Sequence, residues 1–226
     1  LSLEKGKILM TKDMITIKDF QGVYNNRQEN KVEMSGTVKD YLKSIDTNVV
    51  ARAVVTNDFA KNYMSKIAGV PIELTGGSTR TRVDLKAINN KIDIKWLFGL
   101  KSGQDILIDG ASLTPADYRR MLKAILHFED NILNIKTVDY YIAPENLDKE
   151  KRKKIQPVLK LSGDIDCSKE IPMVQNLGFE IPKPLPSEFL NVLIGQKLFK
   201  GGKIAGDLHF INTTKYPTLD GRLTMD

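Results

Sequence analysis

Two histidines, one cysteine and a glycine-rich turn are the residues of this sequence best suited to chemistry, and their spacing favours no reactive site. His127 and His209 lie in strand-like stretches without the second histidine or cysteine that a zinc site requires. Cys167 has no histidine motif and is interpreted as a buried or half-buried thiol rather than a nucleophile. Gly-Gly-Ser at 76–78 lacks the Lys-Ser or Lys-Thr pair of a phosphate-binding loop. The sequence therefore predicts no enzyme, no metal and no cofactor.

Composition narrows the class of protein further. Of 226 residues, 41% are hydrophobic and 27% are charged, as in a folded chain rather than a disordered one. The net charge of +6 is dispersed, so we expect no nucleic-acid partner. The run KEKRKK at 149–154 is interpreted as a solvated loop or short helix rather than a patch for anionic lipid or nucleic acid.

Cysteine content and hydropathy exclude two further classes. A single cysteine excludes an intrachain disulfide framework, and no apolar stretch approaches the roughly 18 residues of a membrane span. The chain opens at Leu1 without a methionine, so we expect it to be a piece of a longer protein.

Alternation of apolar and polar residues is the dominant pattern. In VDLKA at 83–87 and IDIKW at 92–96, every second residue is apolar. This period marks strands with one apolar and one wet face, as in an antiparallel sheet. Turn signals such as Asn89-Asn90 separate the strands. We predict a mainly β protein with a long, curved antiparallel sheet.

Two or three short helices are expected to interrupt the strands. Asp58 is predicted to cap Phe59–Ala68, and Ser187 is predicted to cap Glu188–Phe199. A weaker helical turn is expected near Met173–Leu177. Neither main helix is long enough to be stable alone, so each must dock on an apolar surface.

Four elements occur twice in the same order. They are a hairpin-like stretch (KILMTKDMITIK at 7–18, KAILHFEDNILNIK at 123–136), a Ser-Gly strand (VEMSGTVKD at 32–40, LKLSGDIDC at 159–167), an amphipathic helix and a Gly-Gly strand (GGSTRTRVDLKAIN at 76–89, GGKIAGDLHFIN at 201–212). The copies are offset by about 117 to 127 residues. This predicts repeat units at 7–122 and 123–226, the second truncated and carrying a charged insertion at 145–156.

An alternating sheet must either cover its apolar face or leave it open. Two or three short helices cannot cover about a dozen strands. The sheet therefore either curls on itself as a barrel or sandwich, or leaves a groove for an apolar ligand. Periodicity alone favours the self-filled core. We interpret Gly36 and Gly163, which follow the serines of the repeated strand, as positions of a bulge or tight coil in a strongly curved sheet.

Several stretches share a more specific succession of helix, glycine and strand signals. They are a helix leading to a glycine and the PIELTGG turn (NDFAKNYMSKIAGVPIELTGGSTRTRVDL at 57–85), a Leu-Pro, helix, Gly-Gly succession (LPSEFLNVLIGQKLFKGGKIAGDLHF at 185–210), SGTVKD at 35–40 and YPTLDGRLTMD at 216–226. From about Ile8 to Met225, the chain resembles the AsmA-like family of Gram-negative envelope proteins, particularly its YhdP-like branch. The resemblance implies a taco-shaped sheet of repeated β-groove units. Such proteins are anchored in the inner membrane, cross the periplasm and carry phospholipid acyl chains toward the outer membrane.

The resemblance implies that this chain is an internal, periplasmic segment of such a bridge. Its expected partners are phospholipid and neighbouring repeats of the parent chain, with membrane contact only through parts outside this sequence. The candidate lipid-binding residues are apolar positions of the alternating strands, namely Val32, Met34, Val38, Val83, Leu85, Ile92, Ile94, Trp96, Ile106, Ile108, Leu159, Leu161, Ile204, Leu208, Phe210, Leu219 and Leu223. The helices at 58–68 and 187–199 would cap or gate the groove. The alternative is a structural or adhesive envelope protein with a closed, dry core and no ligand.

Overall fold

A computed structural model describes residues 2–25, 27–41, 46–112, 118–169, 173–188, 190–191, 196–212 and 217–225, with the backbone alone at 3, 67, 68, 149, 153, 217 and 219. It is mainly β, as predicted, and its long antiparallel sheet has twelve strands. In their order across the sheet, they are β1 (Ser2–Met10), β2 (Met14–Val23), β3 (Lys31–Lys39), β4 (Asp46–Val55), β6 (Thr79–Ile88), β7 (Lys91–Leu100), β10 (Tyr118–Glu129), β11 (Ile132–Pro144), β12 (Leu159–Asp166), β13 (Met173–Pro186), β14 (Lys203–Asn212) and β15 (Pro217–Met225).

The remaining described elements are short. A three-stranded sheet contains β5 (Ile72–Thr75), β8 (Asp105–Ile108) and β9 (Ala111–Ser112). Helix α1 is α-helical over Asn57–Phe59, π-helical over Ala60–Met64 and α-helical again over Ser65–Ala68, and helix α2 spans Lys149–Lys153.

The long sheet is not closed into a barrel. Strands β1 and β15 form its two edges, and each pairs with a neighbour on one side only. The barrel that alternation alone allowed is therefore wrong for this chain, because the last strand does not return to pair with the first.

Hairpin turns confirm the turn signals read from the sequence. Asn89 and Asn90 between β6 and β7, and Asp130 and Asn131 between β10 and β11, all have positive φ between 49° and 64°. Two successive left-handed residues match the right-handed twist of the strands they join. Apart from glycine, Asn and Asp are the residues that tolerate this conformation best.

The two ends of the long sheet differ in their connections. At one end, here called the turn end, the strands are joined at 11–13, 40–45, 89–90, 130–131, 167–172 and 213–216. At the other, here called the cap end, the joining segments are 24–30, 56–78, 101–117, 145–158 and 187–202, which contain both helices and the small sheet. Among the described residues, both helices and the small sheet therefore lie at the cap end.

The helices differ in part from the prediction. Thr56, not Asp58, caps α1, because its hydroxyl accepts a hydrogen bond from the Phe59 N–H at 3.3 Å. The helix ends at Gly69 in the left-handed conformation, as a helix C-terminus often does.

The second predicted helix and the weaker predicted turn agree less well with the structure. Within Glu188–Phe199, residues 190 and 191 are helical, as predicted, and 196–200 are not. Residues 189 and 192–195 lie outside the described part of the chain. Met173–Leu177 is wrong as a helical turn, because it forms the start of β13 and is paired in the long sheet.

The predicted unit limits can be placed on the strands. The boundary between 122 and 123 falls inside β10, and the insertion at 145–156 contains α2 in the connection from β11 to β12.

Candidate functional site

One row of directly paired residues crosses all twelve strands of the long sheet, and every member is aliphatic, aromatic or glycine. In strand order, this central row is Ile8, Ile17, Gly36, Val49, Leu85, Ile94, Leu126, Ile135, Gly163, Leu177, Phe210 and Leu219. Residues directly opposite each other in antiparallel strands lie on the same face. The row therefore marks one apolar face that runs without a polar interruption from edge to edge.

Two flanking rows extend this surface, and the three rows together are called the apolar face. Toward the cap end lie Phe20, Met34, Ala51, Val83, Trp96, Ala124, Val138, Leu161, Phe179, Leu208 and Gly221. Toward the turn end lie Met10, Ile15, Val38, Thr47, Ala87, Ile92, Phe128, Leu133, Ile165 and Val174. Thr47 is the one polar residue among them.

The two glycines of the central row occupy backbone positions that other residues disfavour. Gly36 has φ of 153° and Gly163 has φ of 149°. A Cβ atom would lie 2.2 Å from the Asn48 carbonyl oxygen at the first position and 2.0 Å from the Asn176 carbonyl oxygen at the second. Both glycines therefore let the next strand approach closely.

A β-bulge lies opposite each of these glycines. The register shifts by one residue within 17–20 of β2, beside Gly36, and within 135–138 of β11, beside Gly163. A bulge increases local twist and bends the strand that carries it. The same bending device therefore recurs in both halves of the sheet at the same step of the central row.

Exposure along the apolar face falls from the edge to the interior. Ile8 and Met10 of the edge strand β1 are 56% and 65% exposed, whereas Leu85, Ile94 and other interior members of the rows are half-buried. Partial exposure of so many large apolar side chains is unusual for a surface that faces only water.

The first cap, defined as α1 with the small sheet, covers part of the apolar face near the cap end. Its Ala60, Ile72 and Leu74 form a buried cluster with Phe98 and Leu100 of β7. Trp96 and Leu122 pack against the cluster from the apolar face. The cap therefore docks through apolar contacts, as the shortness of its helix required.

A buried ion pair also joins the first cap to the long sheet. Arg120 of β10 has a fully buried side chain, and its Nη1 lies 2.6 Å from Asp105 Oδ1 of β8. The Ser112 hydroxyl donates to the other oxygen of Asp105. A charge removed from water in this way is stable only with its counterion, so the pair fixes the position of the small sheet.

The second cap, defined as the described part of 187–202, covers the corresponding place on the other half. Leu190 lies in a buried cluster with Leu159, Phe179, Leu185 and Ile204. Each half of the long sheet therefore has a cap over the cap end of its apolar face. The second cap contains no sheet among the described residues.

Asn191 organises the second cap. Its side chain is fully buried and accepts hydrogen bonds from the N–H groups of Leu198 and Phe199 at 3.0 and 2.8 Å. It also donates to the Phe199 carbonyl at 2.7 Å. Beyond this hub, Lys197 Nζ reaches Asp109 Oδ1 of the first cap at 2.8 Å, so the two caps touch.

The structure brings fifteen of the seventeen candidate residues together on the same face of the long sheet. They are Val32, Met34, Val38, Val83, Leu85, Ile92, Ile94, Trp96, Leu159, Leu161, Ile204, Leu208, Phe210, Leu219 and Leu223. Leu159 and Ile204 are buried under the second cap. Ile106 and Ile108 instead lie in β8 of the small sheet, where Ile106 packs on the buried cluster of the first cap.

Strands β10, β11 and β13 contribute residues that the sequence prediction missed. Leu126 and Phe128 of β10, Ile135 and Val138 of β11, and Leu177 of β13 all lie on the apolar face. In β10 the alternation was present but obscured, because Ile125 adds an apolar residue on the opposite face. In β11 the bulge breaks the period of two.

Charged and polar residues occupy the opposite face, here called the polar face. At its turn end, His127 lies 2.8 Å from Asp93 and 3.2 Å from Glu129, and Lys91 lies 2.7 Å from Glu129. Hydrogen bonding to Asp93, and then to Glu129, raises the pKa of His127. The hydrogen bond from Lys91, followed by that from His127, lowers the pKa of Glu129. This cluster joins β7 to β10.

The described residues lack two other features. They contain no group of three or more His, Cys, Asp or Glu side chains arranged to hold a metal ion. None of the described helices has the length and hydropathy needed to cross a membrane.

Comparison of the chain with protein-family models, with curated proteins and with solved structures returned no match. The resemblance to the AsmA-like family therefore rests on the sequence texture alone.

Proposed function

We propose that this chain binds the acyl chains of phospholipid on its apolar face, as an internal segment of a lipid-transfer protein that spans the periplasm of a Gram-negative bacterium. In this proposal, the parent protein is anchored in the inner membrane and neighbouring repeats extend the same face. The single observation that carries the proposal is the central row, which is apolar or glycine on all twelve strands.

The chemistry of an acyl chain suits such a surface. Exposing a methylene group to water costs about 0.8 kcal/mol, so a lipid tail is held by continuous apolar contact without any directional bond. A row without polar interruption lets a tail move along it at nearly constant free energy. A transport surface of this kind needs no reactive residue.

The described parts of the caps leave the middle of the central row partly exposed. They cover the cap end, whereas Leu85 and Ile94 in the central row and Ile92 toward the turn end remain half-buried. The alternative of a closed, dry structural core has less support, because the long sheet is not closed into a barrel.

Native mass spectrometry of the purified chain, followed by organic extraction and lipid identification, tests the proposal. We expect phospholipid at about one molecule or more per chain. Replacing Leu85 and Ile94 with asparagine should remove most of it, because the two side chains are directly paired in the middle of the central row.

A matched control carries the same change on the other face. Val50 and Ile125 are also half-buried, but they are positioned on the polar face beside Asp84 and Lys95. The variant V50N/I125N should retain lipid, and circular dichroism should show both variants to be folded. Absence of lipid from the unmodified chain, together with no uptake of a photocrosslinking phospholipid, would overturn the proposal. Equal loss from both variants would also contradict it.

A further inference from the structure

The polar face carries a cavity of about 1080 Å³ at the cap end of the long sheet. Its floor follows one row of paired residues: Val54, Arg80, Gly99, Met121 and Tyr141. One wall contains Gln28, Glu29 and Lys31, which lie before and at the start of β3. The other contains Arg152 and Ile155 of the charged insertion. A cavity of this size lies at the upper end of the range of small-molecule sites.

Positive charge dominates the lining. Seven of its eighteen residues are basic and one is acidic: Lys31, Arg80, Lys101, Arg119, Arg120, Lys123 and Arg152 against Glu29. Arg119 pairs with Glu145 at 2.7 Å, and Arg120 pairs with Asp105. Among the described residues, Lys31, Arg80, Lys101 and Lys123 form no ion pair with a carboxylate. The cavity therefore faces its contents with an excess of cations.

A smaller cavity of about 280 Å³ adjoins the first and shares Lys31, Arg80 and Met121 with it. It adds the cations Arg52 and Arg82 and the acid Glu33, and Arg82 pairs with Asp84 at 2.7 Å. The excess of positive charge therefore belongs mainly to the larger cavity.

The charged insertion is held against the sheet by Glu145. One carboxylate oxygen accepts from Arg119 Nε at 2.7 Å, and the other accepts from the Ser102 N–H at 3.3 Å. The Glu145 carbonyl accepts from Arg152 Nη2 at 3.0 Å. The hydrogen bond from Arg119 lowers the pKa of Glu145, which keeps the carboxylate ionised. The run KEKRKK thus brings at least one of its cations to the cavity wall.

Apolar groups lie between the cations. Val54, Met121, Tyr141 and Ile155 line the same cavity, and Met121 is 45% exposed. Gly99 lies in the floor, where an added Cβ would meet only the Arg120 carbonyl oxygen, at 3.6 Å. The absence of a side chain there leaves the space open above the sheet.

We propose that this cavity binds an amphiphile of small-molecule size that carries a phosphate group. Arg80, Lys101 and Lys123 contact the phosphate, for which guanidinium and ammonium groups are the usual protein ligands. The apolar part lies against Val54, Met121 and Ile155. The site is independent of the proposed acyl-chain surface, since its floor belongs to the opposite face of the sheet.

Isothermal titration of the full chain with dihexanoyl phosphatidic acid, below its critical micelle concentration, tests the proposal. We expect saturable binding with a Kd of about 0.1 mM or tighter. Dihexanoyl phosphatidylcholine, which has the same tails and no net charge, should bind at least about tenfold more weakly. Inorganic pyrophosphate reports on the anion alone. Its binding should be weaker than that of phosphatidic acid, and equal affinity would overturn the apolar part of the proposal.

Two variants separate this site from general attraction to a basic protein. R80E/K123E should weaken phosphatidic acid binding by about tenfold or more. K183E/K203E makes the same change in net charge at two exposed lysines that lie outside the cavity, and should leave the affinity unchanged. A third variant, Gly99→Leu, fills the floor without altering charge, and should also reduce affinity. Equal effects of the two charge variants, or no saturable binding of either phosphate compound, would overturn the proposal.

Discussion

The long sheet divides into two halves of six strands, the first with β1–β4, β6 and β7 and the second with β10–β15. The residues that the two halves contribute to the central row correspond one to one. Ile17 corresponds to Ile135, and Gly36 to Gly163, each at the same step across the sheet. The β-bulge beside the glycine is repeated as well. Two segments with different side chains therefore build the same backbone pairing, and the shared requirement is the missing Cβ of the glycine.

The caps of the two halves are built differently. The first cap is a helix and a small sheet joined to β10 by the buried pair Arg120–Asp105. The second is a segment organised by the amide of Asn191. Both bury apolar side chains over the same end of the same face. Pairing of strands restricts backbone geometry closely, whereas covering an apolar surface can be done with different elements.

The largest expected effect lies in the first cap. Asp105→Ala removes the carboxylate that pairs with the buried guanidinium of Arg120, and should reduce the free energy of unfolding by about 3 to 5 kcal/mol. Urea denaturation measures the change. Glu180→Ala provides the matched control, because it breaks the exposed pair of Lys160 and Glu180 in the second half and should cost less than about 1 kcal/mol. Equal costs would show that the buried pair does not hold the cap.

In the second cap, Asn191→Ala removes three hydrogen bonds to backbone groups of 198 and 199. Buried groups that lose a partner cost about 1 to 3 kcal/mol each, and partial rehydration should limit the total to about 3 kcal/mol. Urea denaturation would measure the loss of stability, and hydrogen exchange would show reduced protection of the Phe199 amide. Full protection of that amide in the variant would contradict the role given to Asn191.

Substitution of the paired glycines tests whether the two halves are equivalent. Gly36→Ala and Gly163→Ala each place a Cβ against a carbonyl oxygen at a φ that alanine disfavours. Each should cost about 2 to 3 kcal/mol, and the two costs should agree within about 1 kcal/mol. Gly99→Ala is the control, because its Cβ has room, and it should be nearly neutral. A large cost at only one glycine would break the comparison.

The smallest expected effect is on how the stability of the fold depends on pH, through His127 at the turn end. His127 corresponds in the pairing to Leu9 of the first half, so His127→Leu makes the halves more alike. Because Asp93 and Glu129 raise the pKa of His127 in the folded state, its contribution to stability is full below the ordinary value near 6.5. That contribution is lost as pH rises through the folded pKa.

Unfolding of both proteins at about pH 5.5 and pH 8.5 measures this contribution. The unmodified chain should lose more stability than the leucine variant between the two values. An identical pH dependence of both proteins would exclude the contribution.

Much of the fold could be predicted from local pattern, and the errors have local causes. Alternation in stretches such as 83–87 identified strands and their apolar faces, because the period of a strand is two. The apolar side chains of β11 were missed where a bulge interrupts that period. The Met173–Leu177 turn was wrong because pairing with β12 determines its conformation more strongly than local preference does.

The sequence by itself determined the antiparallel β class, the hairpin turns and the places where only glycine fits, since these depend on residues close together in the chain. Only the tertiary structure decided that the sheet stays open, that fifteen candidate residues share one face, and that Arg120 pairs with Asp105 under a cap. It also decided that Arg152 of the charged insertion lines the same cavity as Arg80. These outcomes depend on register summed over twelve strands and on contacts between residues distant in sequence, which no local pattern encodes.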